Sequence, residues 1–135
     1  MLGKTIAVLI FVFFSCSISY PTGTKEEVFN WIDDNYNYTA DDREHWQAPD
    51  ETLEKMTGDC EDWAILALYM LDQINIKARF AAVRKADYVH GYFHACIEID
   101  GRIYEPRGGS DVTDDYAISF LLTYDEVMVL RIFNI

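Results

Sequence analysis

Cys60, His94 and Glu105 stand in that order along the chain. A cysteine, a histidine and a carboxylate are the parts of a nucleophilic site. The cysteine attacks, the histidine takes its proton and returns it to a leaving group, and the acid holds the histidine in place. Histidine suits the middle role because its pKa lies near neutrality. Cys60 leads into an apolar run over residues 63–76 that reads as a buried helix. Thr57 or Asp59 can cap that helix, because their side-chain oxygens accept from its unpaired first amides. Those amides, with the positive end of the helix dipole, are expected to stabilise a thiolate at Cys60.

The elements that must position these residues are legible around them. Residues 25–36 show helical periodicity, with Val28, Phe29, Ile32 and Tyr36 on one face and a Thr24–Glu27 capping box in front. Residues 38–49 are polar and turn-rich, and Trp46 there is expected to pack on something. Residues 49–55 read as a short helix that Met56-Thr57-Gly58 breaks. The helix carrying Cys60 buries Trp63, Ala64, Ala67, Leu68 and Leu71 and is apolar nearly all round, so it should lie inside the domain and end at Asn75. Strands are expected over 78–84, 93–99 and 102–105, the last two joined by an Asp100-Gly101 hairpin turn. Alternation places His94, Cys96 and Glu98 on one face and Ala95, Ile97 and Ile99 on the other. Counting outward from the turn brings Glu105 within a residue or two of Ala95 or Cys96, where a carboxylate can accept from the imidazole. Residues 118–122 are apolar without a clear type, and residues 125–133 alternate in the manner of a closing strand.

Composition bounds the function classes. The formal net charge is −12, which argues against nucleic acid as a partner, since no basic patch is present to neutralise phosphates. It is compatible with solubility, a basic substrate or a bound cation. Residues 1–19 are expected to be a secretory signal, with a cationic start, an apolar stretch over 5–14 and small residues before a cut after Ser19. The same segment can be read as a membrane anchor, and Cys16 after Ser15 as a lipoprotein site. Residues 20–135 then form one domain of roughly 115 residues, enough for a single core. The expected site of action is outside the cytoplasm, periplasmic or secreted, with membrane contact through the N-terminal segment alone. An exported chain with two remaining cysteines, Cys60 and Cys96, often pairs them, and such a bridge would silence the nucleophile.

The run Gly58-Asp59-Cys60-Glu61-Asp62-Trp63-Ala64, preceded by Trp46-Gln47-Ala48-Pro49-Asp50-Glu51-Thr52, resembles the bacterial transglutaminase-like cysteine proteinases. His94-Ala95-Cys96-Ile97-Glu98 followed by Tyr104-Glu105-Pro106 fits the same family, over residues 27–109. The resemblance implies an α+β fold with a papain/transglutaminase-like core, in which a central helix carrying the nucleophile packs on an antiparallel sheet. It implies Cys60 as nucleophile, His94 as base and Glu105 as orienting acid, at a position where the family usually has Asp. The Cys60 backbone amide would help form the oxyanion hole, with Trp46, Gln47 and Tyr38 as candidates for a second donor. Calcium binding in some family members points to Asp59 and Glu61 as candidate ligands, although the chemistry itself requires no cofactor.

The resulting expectation is a monomeric exported cysteine peptidase that acts on a protein or peptide amide through a thioester. The alternatives are a transglutaminase or amidase, and a binding or inhibitory module that keeps the fold without turnover. Read without the motif, Cys60 is a structural cysteine, His94 an ordinary strand histidine and Glu105 a surface acid. Cys96 reads as a core residue or pocket wall, and His45 and His90 as solvated loop histidines.

Overall fold

The computed structural model describes residues 21, 23–41, 45–85 and 93–133. The segment 1–19 expected to be a signal, with Cys16, and the residues Asp42, Tyr88, His90 and Tyr92 lie outside the described residues.

Helix α1 spans Lys25–Asn35; Thr24 caps it, its side chain accepting from the Glu27 amide, and Val28, Phe29 and Ile32 are its buried face. Helix α2, Pro49–Lys55, starts on a proline at its first position, where a missing N–H costs nothing, and closes on Met56 in the left-handed region. Helix α3, Cys60–Gln73, is the centre of the core; the segment 62–68 is buried throughout, as are Met70 and Leu71. Strands β1 (Arg79–Lys85), β2 (His94–Ile99), β3 (Arg102–Tyr104) and β4 (Tyr116–Leu122) form one antiparallel sheet in the order β3-β2-β1-β4. The expected α+β architecture, a cysteine-bearing helix packed on an antiparallel sheet, is the one observed.

The two faces of the sheet do different work. Phe80, Ala82, Ala95, Ile97 and Ile99 join α1 and α3 in the main core, while Ala81, Val83, Cys96 and Ile103 form a small second core. His94 pairs with Val83 and Cys96 with Ala81, so both belong to the second face, as the alternation predicts. The hairpin turn at Asp100 and Gly101 has positive φ at both residues (51° and 80°), the form that matches strand twist. It sets Tyr104 opposite Ile97, and β3 stops there. Residue 105 therefore leaves the ladder beside Cys96, within the one-residue precision of strand counting.

At the C-terminal end the structure types one open segment and overturns one expectation. The untyped piece around 118–122 is strand β4, at the sheet edge. The segment expected to be a closing strand is instead helix α4, Tyr124–Phe133. Its start is a reciprocal cap: the Glu126 amide donates to Thr123 Oγ1 (3.3 Å) and the Thr123 amide donates to Glu126 Oε2 (2.7 Å). A Thr-x-x-Glu signal thus outweighs the strand-like alternation of Val, Met and Leu, because it satisfies two amides that a strand start would leave to solvent. Val127 is the buried contact of this helix.

Candidate active site

The N-terminus of α3 is built by Asp59 and Asp62. Asp59 Oδ1 accepts from the Glu61 and Asp62 amides (3.1 and 3.2 Å), and Asp62 Oδ2 accepts from the Asp59 amide (3.1 Å). Asp59 is thus the cap, while Thr57 donates to the Asn37 carbonyl and touches the Thr39 hydroxyl. The Asp59 carbonyl takes the Trp63 amide. The Cys60 amide lies outside these bonds.

The segment before the cysteine is fastened from two sides. Residues 37–39 run beside 57–58: the Gly58 amide donates to the Asn37 carbonyl and the Thr39 amide to the Gly58 carbonyl. From the other side, the Gln47 amide donates to Asp62 Oδ1 at 2.7 Å. Asp62 is fully buried and holds this loop to the helix start. Burial, partly opposed by those donors and reinforced by Asp59, raises its pKa from 3.8 to about 7. Gly58 is required for this approach, since a Cβ there would lie 2.7 Å from both Cβ and Oδ2 of Asp62.

His94 and Glu105 meet as the sequence predicts. The Nε2 of His94 lies 2.8 and 3.0 Å from the two Glu105 carboxylate oxygens. An Nε2–H donating to the carboxylate leaves the Nδ1 lone pair as the basic site of the neutral ring. The Glu105 hydrogen bond raises the His94 pKa against the opposing effect of burial. Tyr116 of β4 stands over this pair, its ring 5.9 Å from that of His94. Its pKa is raised by burial and by the Glu105 carboxylate. Nothing in the local sequence marks Tyr116, because the crossover from β3 to β4 alone brings it here.

Cys60 behaves differently from expectation. Its thiol donates to Glu61 Oε2 at 3.2 Å. Burial first, and then the Glu61 carboxylate, push the thiol up from 9.0 to about 12, while the Ala95 amide at the sulfur opposes them. The expected thiolate is therefore not the resting form: the dipole of a capped helix is outweighed by lost hydration and an adjacent negative charge. The Ala95 contact places the sulfur at the stretch of β2 that β3 leaves unpaired, next in sequence to His94. Tyr36 borders the sulfur; its pKa is raised by burial and then by Cys60. Arg107 lies over the Tyr36 ring (4.8 Å) and pairs with Asp33 (2.7 Å). Both cysteines are free thiols, and no Cys60–Cys96 bridge is present.

The remaining candidates separate. Trp46 packs at a tilt against Phe80 (ring centroids 5.2 Å apart), so this loop tryptophan packs inward as expected. Tyr38 is 59% exposed. Gln47 is buried, and its Oε1 accepts from the Thr52 hydroxyl at 3.1 Å, which turns the amide nitrogen to the other side. His45 is exposed and bonds Glu51. Of the candidate calcium ligands, Asp59 and Glu61 face each other closely enough that Asp59, after burial, raises the Glu61 pKa. Asp41, Asp59 and Asp62 also gather, with one oxygen of each within 4.8 Å of the others. Such oxygen-only groups suit a hard cation such as calcium.

A family model described as the transglutaminase-like superfamily matches residues 16–108. Among solved structures, Legionella pneumophila LapG in EGTA-treated form is similar with a TM-score of 0.60 and 17% identity, over 73% of this chain and 61% of that one. A candidate cysteine protease from Cytophaga hutchinsonii is similar with a TM-score of 0.53 and 22% identity, over 70% of this chain and 34% of that one. The chain thus spans less than two thirds of either structure. No curated protein matches it.

Proposed function

Since the chain belongs to the transglutaminase-like superfamily, we propose that it is an exported cysteine peptidase, acting on a protein or peptide amide through Cys60, His94 and Glu105. The observation that carries this reading is the His94–Glu105 pair, which directs one ring nitrogen to the acid and leaves the other basic. The thiol turns from Glu61 to His94 Nδ1 and gives up its proton as sulfur bonds to the amide carbon. The carbonyl oxygen becomes an oxyanion, met by the Cys60 amide and, as second donor, the Gln47 side-chain nitrogen. The C–N bond then breaks, and the leaving amine takes the proton from Nδ1. Water, deprotonated by the same nitrogen, attacks the thioester and returns the thiol. An amine in place of water gives transamidation. Calcium, where bound, would be held by Asp59 and Glu61 and would relieve the repulsion between them.

The neutral thiol at Cys60 favours a second reading, a binding or inhibitory module of the cell envelope that does not turn over. The deciding experiment incubates the protein with a fluorogenic protein substrate, with and without calcium, and analyses Cys60 by mass spectrometry for an acyl adduct. The peptidase reading expects cleavage that falls by about 10²–10⁴-fold in His94→Ala and to background in Cys60→Ala. Cleavage that persists in Cys60→Ala, or the absence of both cleavage and adduct, leaves the binding module.

A further inference from the structure

The amide chemistry leaves one buried nucleophilic group unused, Cys96. It is fully buried, two residues from His94 and on the same face of β2. Glu105 reaches that place because β3 ends at Tyr104, opposite Ile97. One ligating atom from each of His94, Cys96 and Glu105 lies within 4.8 Å of the other two.

We propose that His94, Cys96 and Glu105 form a binding site for zinc or a similar thiophilic divalent ion, and that the ion silences the enzyme by occupying its base and its acid. A sulfur, an imidazole nitrogen and a carboxylate oxygen make a borderline-soft donor set, which suits zinc and not calcium or magnesium. Zinc bonds of about 2.3 Å to sulfur and about 2.0–2.1 Å to nitrogen and oxygen put tetrahedral donors about 3.3–3.6 Å apart. The nitrogen–oxygen pair is already closer than that, at 2.8 Å. The sulfur, within 4.8 Å of both other donors, has at most about 1.5 Å to close to reach that spacing, within the reach of side-chain rotation. The glutamate at this position adds the methylene that lets the carboxylate extend toward the strand. On binding, the ion replaces the proton of the Cys96 thiol, which passes to solvent, while the proton between His94 Nε2 and Glu105 moves to Nδ1, so the ring stays neutral. No oxidation state changes, and water completes the shell.

Silencing rests on the peptidase reading; binding does not. The test titrates the full chain with cobalt(II) in a phosphine reductant and follows its absorption spectrum. One equivalent is expected to produce a thiolate-to-cobalt charge-transfer band and the intense visible bands of four-coordinate cobalt, both abolished by excess zinc. Cys60→Ala should keep the thiolate band and Cys96→Ala should lose it. Glu105→Gln should keep the band but weaken binding by about 10-fold or more, the loss seen when even an outer partner of a metal ligand is removed. No thiolate band in the unaltered chain, a band that survives Cys96→Ala, or one lost in Cys60→Ala overturns the site. Should Cys96→Ala fail to fold, unchanged affinity in Glu105→Gln overturns it equally. A thiolate band in a chain that cleaves no peptide even when metal-free would sink the peptidase reading alone, and cleavage by the metal-free chain without a thiolate band on cobalt addition would sink the metal site alone.

Discussion

Asp62 ties pH to the stability of the candidate site with a calculable sign. Its carboxyl is fully buried, accepts the Gln47 and Asp59 amides, and has its pKa raised from 3.8 to about 7, with burial the largest cause. In the unfolded chain it ionises near its ordinary value, so between the two values the folded state binds the proton more tightly. The stabilisation from the acid form is fully present below the unfolded value and is lost as pH rises through the folded one. Each tenfold in proton affinity is worth about 1.4 kcal/mol, which makes the whole effect on the order of 4 kcal/mol. That is a large part of the 5–15 kcal/mol typical of a domain. Asp62→Asn removes the titration while keeping the shape of the group. Urea unfolding followed by tryptophan fluorescence between about pH 4 and pH 8, on both proteins under reducing conditions, isolates the term. The stability of the unaltered protein minus that of the variant should fall by about 4 kcal/mol across the window. Groups that titrate alike in both proteins cancel. Parallel curves would refute the reasoning, and a difference that grew with pH would mean that the two amides hold the carboxylate charged.

Other perturbations probe the same region. Glu61→Gln removes the charge and acceptor beside Cys60, so the thiol pKa should drop below about 12; the pH profile of iodoacetamide labelling reads this, and an unmoved profile would exonerate Glu61. In Glu105→Gln the bond that raises the His94 pKa is weakened, so the acidic limb of cleavage should move to lower pH as the rate falls by about 10²–10⁴-fold. A rate loss with the limb in place would leave Glu105 a purely structural role. Gly58→Ala forces a Cβ to within 2.7 Å of Asp62 and should cost about 1–3 kcal/mol in urea unfolding, the usual penalty of overpacking.

Much of this protein is determined by the sequence itself, because the signals are local. The Thr24 cap, the apolar run behind Cys60, the Asp100-Gly101 turn and the alternation through β2 each act within a few residues. Together they place Cys60 at a helix start and bring Glu105 to His94 by counting alone. The Thr123–Glu126 cap that starts α4 is equally local, but it is masked by the alternating Val and Leu residues behind it.

The tertiary structure decided the chemical state of the site. Whether Cys60 rests as thiol or thiolate depends on how much water burial removes and on which way Glu61 turns, and helix position specifies neither. The same holds for Asp62, which is buried and accepts from the backbone amide of Gln47 in the preceding loop, and for Tyr116, which the path of the chain after β3 carries over the His94–Glu105 pair. Backbone form follows from short-range sterics and hydrogen bonds. Proton affinity follows from the desolvation and charge that distant segments bring together, which exist only once the chain is folded.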